Sequence, residues 1–367
     1  MTSLHRAAFR RARLTAGAAA AALMALCASA ATASTIVYDN FEKPGGYTIN
    51  DYNAKWVNPY GLGEMALGDT RSFATGAFSI SAAPFQTAYD FSVYDHLKYL
   101  GVSTQSFAVP TNGSLTFSST ITAETPGTDP GRIINGTYVQ SGLPYAAATL
   151  EGQQAAAVMN MIDFETGQLF DWFVSGSQAF TLIERLPSAV TNPGLPTDDP
   201  NYVGLDKMYT QIIDVVDIGS GPHDVSISYS DSGSVSYFLD GNLVSSVANV
   251  GVPLDVQGVP FEGAYPSYGP GEFLGGKIHS FSIGAGLFSL LDAFPFQFPG
   301  APDLAVSIPV SERAFGQGVI ASFDNFTVDS VSPGGLPQAV PEPATWAMLL
   351  LGFGLVGAVA RRRAVGA

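Results

Sequence analysis

Val225-Ser-Ile-Ser-Tyr-Ser-Asp-Ser-Gly-Ser-Val-Ser-Tyr-Phe-Leu-Asp-Gly-Asn-Leu-Val-Ser-Ser-Val247 holds three short runs that alternate, or nearly alternate, between apolar and polar residues. Asp231-Ser232-Gly233 separates Val225–Tyr229 from Val235–Leu239, and Asp240-Gly241-Asn242 turns the second run into Leu243–Val247. A period of two gives each run one apolar face, as a strand packed on one side needs. Asp-Gly between two such runs tolerates the positive backbone angles of a tight hairpin. The stretch predicts a three-stranded antiparallel meander.

Working outward, Leu115–Ile121 and Ala321–Val328 alternate in the same way. The apolar run Ala155–Met161 continues into Ile162-Asp-Phe-Glu165 and reads as a strand rather than a helix. Amphipathic helical patterns are few. The 367 residues include 40 Gly, 24 Pro, 24 Phe and 15 Tyr, so turns and strand-favouring aromatics dominate. An all-β, two-sheet antiparallel sandwich over residues 34–330 follows, with Val37–Phe41 and Phe323–Val328 expected to lie near each other. Pro187–Pro200 suits either a long surface loop or a linker, and no internal repeat is visible.

The formal net charge of −15 is unevenly spread. Arg6, Arg10, Arg11, Arg13 and Arg361–Arg363 hold seven of the 16 basic residues, while all 31 acidic residues lie between residues 34 and 360. Such a surface repels phosphate backbones, which excludes a nucleic-acid partner, and it suits a soluble exported protein. The single cysteine, Cys27, lies within the predicted signal peptide. The mature chain then has neither disulfide nor thiol chemistry and depends on its core, with Ca²⁺ the candidate cofactor.

Residues 1–33 read as a secretory signal: a basic start, an apolar run over 16–28, and small-residue cleavage sites at Ala28-Ser29-Ala30 and Ala31-Thr32-Ala33, the second favoured. Leu26 disfavours a lipid-acceptor role for Cys27, and the residues after Arg10-Arg11 fit a twin-arginine signal poorly. Residues 331–340 read as a linker. The end runs Val340-Pro341-Glu342-Pro343-Ala344-Thr345-Trp346, then apolar to Ala360, then Arg361-Arg362-Arg363. Seventeen apolar residues from Ala344 would make a helix of about 25 Å, with Trp346 and the three arginines as anchors. This order, over residues 341–363, resembles the PEP-CTERM sorting signal. The resemblance implies processing near Pro341, Glu342 and Pro343 by an exosortase, after signal peptidase acts at the other end. It also implies a transmembrane sorting helix that lodges transiently in the inner membrane, then delivery to the cell surface or an exopolysaccharide matrix.

The hairpin around Tyr237-Phe-Leu-Asp-Gly241 and the strand Ser322-Phe-Asp-Asn-Phe-Thr-Val328, which Val37-Tyr-Asp-Asn-Phe41 echoes, resemble parts of concanavalin A-like and laminin-G-like jelly rolls. Asn160-Met-Ile-Asp-Phe-Glu165 resembles the active-site strand of family 16 glycoside hydrolases, which share that fold. The match implies an acid/base role for Glu165, with Asp163 as the carboxylate between. Met161 then occupies the nucleophile position, and a thioether cannot form a glycosyl ester, so an inactive hydrolase or a sugar-binding relative is implied. The plainer reading is an acidic strand end before the Thr166-Gly167 turn.

Other leads are weaker. Trp56 and Tyr60, and Tyr265 and Tyr268, flank prolines and are candidate sugar-stacking aromatics, although aromatics in a sandwich are more often core. His96, His223 and His279 have no nucleophile-elbow motif beside them and no zinc spacing. Asp198-Asp199, Asp214 with Asp217, and Asp324 with Asp329 are acidic pairs without the spacing of a calcium loop. The expected function is a noncatalytic surface or matrix protein with a polysaccharide as candidate ligand. The alternatives are a secreted glycan-active hydrolase and a purely structural envelope protein.

Overall fold

The computed structural model describes residues 32–58, 70–73, 76–87, 96–204, 209–263, 276–293, 303 and 305–332. A compact unit runs from Ala33 to Val331. Its first sheet contains β1 (Thr32–Asp39), β3 (Phe78–Ala82), β5 (Ser114–Glu124), β12 (Pro222–Ser230), β13 (Val235–Leu239), β14 (Asn242–Val247) and β18 (Val319–Ser332). The strand order is β1-β18-β5-β12-β13-β14, with β3 also paired to β18. The second sheet contains β2 (Trp56–Val57), β4 (Leu97–Ala108), β8 (Ala156–Ile162), β9 (Gln168–Val174), β10 (Gln178–Arg185), β11 (Tyr209–Asp217), β15 (Glu262–Gly263) and β16 (Ser280–Phe288). Its order is β15-β11-β10-β9-β8-β16-β4-β2. A small antiparallel sheet joins β6 (Ile133–Tyr138) to β7 (Pro144–Ala148) and to β17 (Val306–Ser307).

The meander forms as its pattern dictates. β12 pairs with β13 and β13 with β14, all antiparallel. Asp240 and Gly241 take φ of 49° and 76°, the two positive angles of a tight hairpin. The first and last strands of the unit lie side by side. The repeated Asp-Asn-Phe motif contributes to this, because Phe41 and Phe326 meet edge to face at 6.0 Å.

Both sheets supply the inner core. Phe117, Ile121, Ile227, Tyr237 and Phe323 come from the first, and Met159, Met161, Phe170, Trp172 and Ile283 from the second. Two cross-sheet hydrogen bonds tie the layers: Trp172 Nε1 donates to the Ser226 carbonyl at 3.0 Å, and the Tyr237 hydroxyl to the Leu182 carbonyl at 2.8 Å. The second sheet differs from the simple sandwich in being buried on both faces. Every residue of β8 and β9 is buried, and a second apolar cluster that includes Val158, Leu169, Phe173, Phe180, Leu182 and Phe288 covers its outer face. A strand covered on both faces reads as a continuous apolar run rather than an alternating one, which explains Ala156–Ile162.

The expectation of a transmembrane sorting helix is corrected. No helix among the described residues is long and apolar enough to cross a membrane. Residues 344–360, with Trp346 and Arg361–Arg363, lie outside the described residues. Seventeen apolar residues are at the short end of what a bilayer needs. The inner-membrane anchoring that rested on that helix falls with it.

Candidate functional site

The sequence placed Met161, Asp163 and Glu165 on one strand face. The structure separates them, because β8 ends at Ile162 and residues 164–166 form a turn. Met161 is fully buried between the sheets. The Asp163 carboxylate closes its own turn, accepting from the Glu165 and Thr166 amides at 3.0 and 3.2 Å and from the Thr166 hydroxyl. Gly167 completes the turn at φ 73°, and a Cβ there would come within 2.3 Å of the Leu186 carbonyl oxygen. Glu165 is exposed and accepts from Asn201 Nδ2 at 3.4 Å. A side chain whose oxygens are committed to a turn is a structural Asx motif.

Trp56 is only 2% exposed. It donates to Asp39 Oδ2 at 2.8 Å and packs edge to face against Phe326 at 4.8 Å and Tyr38 at 5.3 Å. A ring sealed in this way offers no face to a sugar, so its predicted stacking role is corrected. Tyr60, Tyr265, Tyr268, Pro341, Glu342 and Pro343 lie outside the described residues. His223 bridges the Asp240 carboxylate and the Gly219 carbonyl, each at 2.9 Å, while His96 packs against Phe288 at 5.9 Å. Asp199, Asp214 and Asp324 each accept from backbone amides one or two residues on. No three His, Cys, Asp or Glu side chains converge among the described residues.

The structure draws attention to a different group, a polar stripe across the apolar outer face of the eight-stranded sheet. Asn160 on β8 stands opposite Asp171 on β9, and Glu184 on β10 stands opposite Thr210 on β11. Asp171 faces Leu182, so Glu184 is its diagonal neighbour on the next strand. Asn160 Nδ2 donates a 2.5 Å hydrogen bond to Asp171 Oδ1, and the Thr210 hydroxyl donates to Glu184 Oε2 at 3.0 Å. Gly284 of β16 lies opposite Asn160, and a Cβ at that position would come within 2.8 Å of Asn160 Oδ1. Two oxygens remain without a partner in this buried place, Asn160 Oδ1 and Asp171 Oδ2. An unsatisfied buried acceptor costs about 1–3 kcal/mol.

The two carboxyls lie in apolar surroundings with no lysine or arginine partner among the described residues. Burial, together with the charge of Glu184, holds Asp171 well above the usual carboxylate range despite the Asn160 hydrogen bond. Burial pushes Glu184 up from 4.5 to about 7, with the Thr210 hydroxyl partly opposing it. A carboxyl raised in the folded state stays protonated while its unfolded counterpart ionises. Stability therefore falls as pH rises from about 4.5 to about 7, by about 1.4 kcal/mol per unit. In chelator, urea unfolding at pH 5 should exceed that at pH 7.5 by about 2–3 kcal/mol, and Glu184→Gln should remove most of the difference. A flat profile for the native chain would show that Glu184 is not held as the acid.

Reading alternation alone missed this stripe. Its signal was a single acid inside an apolar strand: Asp171 in Gln168-Leu-Phe-Asp-Trp-Phe-Val174, and Glu184 in Phe180-Thr-Leu-Ile-Glu184. A second buried acid is fully occupied in a structural role. Glu151 accepts from Thr125, Thr128, Ser175 and Ser177, whose hydrogen bonds outweigh burial and hold its carboxyl below the ordinary value.

Two packed antiparallel sheets, the second sealed on both faces and carrying one polar stripe, define the class as an all-β sandwich. The chain belongs to the family of unknown function DUF6081, whose pattern matches residues 57–332. Residues 339–363 match the PEP-CTERM protein-sorting motif, so the tail is the sorting domain that its residue order resembles. No curated protein matches the chain. Among solved structures, β-agarase B from Zobellia galactanivorans is 10% identical, covering 83% of this chain and 95% of its own, at a TM-score of 0.42. Porphyranase B from the same organism is 9% identical, covering 82% and 93%, at 0.37. The Crh5 transglycosylase in complex with NAG is 9% identical, covering 83% and 86%, at 0.37. Likeness this loose carries no argument about chemistry.

Proposed function

We propose that this chain is an exported, exosortase-sorted surface or extracellular protein whose β-sandwich is a noncatalytic passenger. The observation that carries the reading is the sorting motif over residues 339–363, which accompanies an exported type of composition without thiols in the mature chain. The noncatalytic part is supported by the committed side chains of the hydrolase-like segment. Met161 is packed in the core, and the Asp163 oxygens are occupied by their own turn. Carbohydrate binding gains no support from Trp56 and is not part of the proposal.

Export and processing are tested by intact mass. The full chain is expressed in a host with an exosortase and in the same host without it, and the exported fraction is analysed. The expected mature species begins at Ser34 and lacks the tail only where the exosortase is present. Because β1 begins at Thr32, cleavage after Ala33 trims the strand by two residues. A species that still ends in Ala367 in the exosortase host would overturn the reading.

A further inference from the structure

We propose that Asp171, Glu184, Asn160 and Thr210 form a site for a hard divalent cation of the Ca²⁺ class on the outer face of the eight-stranded sheet. The four side chains stand on four consecutive strands, β8 to β11, and point to one face. Every available ligand atom is an oxygen: two carboxylates, an amide carbonyl and a hydroxyl. Oxygen-only sets select hard cations over zinc or copper.

Two observations separate this stripe from an ordinary pair of acids. Asn160 Oδ1 and Asp171 Oδ2 are buried acceptors with no donor, in residues that are 2% and 0% exposed. The carboxyls also have no basic counter-ion among the described residues, so their negative charge is compensated by nothing else in the stripe. What the place lacks is positive charge that can be shared among several oxygens, and a divalent cation supplies it. Enclosure limits the occupant, since a space around a fully buried carboxyl admits an ion or a water and nothing as large as a sugar ring. Glu184 and Thr210, partly exposed at the other end of the stripe, provide the way in. Gly284 keeps the space beside Asn160 Oδ1 free of a side chain.

The full chain is stripped with a chelator, dialysed, and melted with and without CaCl₂, MgCl₂ or MnCl₂ at pH 7.5. Equilibrium dialysis against radioactive Ca²⁺ measures occupancy directly. At a hundredfold excess over the dissociation constant, the melting midpoint should rise by roughly 5 °C. Asp171→Asn and Glu184→Gln should each abolish both the rise and the bound ion, and Thr210→Val should weaken them. Glu184 sits at the partly exposed end, so its variant keeps the test open if Asp171→Asn does not fold. A native chain that neither binds nor responds to any of the three cations overturns the proposal and leaves a shared proton or a buried water as the partner of the two oxygens. A response that persists undiminished in the Glu184 variant places the cation elsewhere and overturns it equally.

Discussion

Replacing Trp172 with alanine should lower the unfolding free energy by about 4 kcal/mol, within the range for a large aromatic removed from a core. Trp172 sits on β9 at the centre of the interface between the sheets and is fully buried. Its indole meets Tyr237 of the opposite sheet edge to face at 6.1 Å, and its Nε1 donates to the Ser226 carbonyl at 3.0 Å. One side chain therefore fills volume, orients a neighbouring ring and satisfies a backbone acceptor across the sandwich. Trp172→Phe separates these contributions, because it keeps an aromatic body while losing the hydrogen bond, and should cost about 1–2 kcal/mol. Urea unfolding followed by tyrosine fluorescence and far-ultraviolet circular dichroism reads both variants. An alanine variant within 1 kcal/mol of the native chain would mean that the sheets do not pack as described.

Asp39→Ala is expected to cost about 3 kcal/mol, although a single small side chain is removed. Asp39 ends β1 and is 1% exposed. Its two oxygens accept from the Tyr47 hydroxyl at 2.6 Å, Trp56 Nε1 at 2.8 Å, Lys55 Nζ at 2.9 Å and the Phe41 amide at 3.2 Å. Removing the acceptor strands several donors at once, and the penalty for unpaired buried donors exceeds the net value of the bonds themselves. The Phe41 contact adds to this, since Phe41 holds φ at 52°, a region that bulky residues rarely adopt. That angle aims the ring at Tyr47, Trp56, Phe78 and Phe326, all within 6.5 Å. The loss should thus appear locally before it appears globally. Hydrogen exchange should speed up over residues 38–57 more than over the meander at 225–247. Uniform acceleration across both regions would argue against a local role for Asp39.

Local pattern determined a good part of this protein. The alternation of Val225–Val247, with Asp240-Gly241 between runs, specifies a meander because strand period and turn angles are properties of neighbouring residues. The repeated Asp-Asn-Phe at 39–41 and 324–326 marks the strands that lie together, and the order of residues in the tail carries the sorting motif. The tertiary structure decided which faces were covered, and so which side chains were free to do chemistry. Nothing in the run from Asn160 to Glu165 announces that the strand stops at Ile162, because Asp163 prefers its turn only when Thr166 and Gly167 fold back onto it. Trp56 beside a proline looks like a loop aromatic until Asp39, 17 residues away, takes its indole hydrogen. Asp171 and Glu184 sit on separate strands inside apolar runs, and they become neighbours only when β9 and β10 pair. Burial, charge coupling and unsatisfied oxygens depend on what lies across the sheet and above it, and those distances are set by packing between residues remote in the chain.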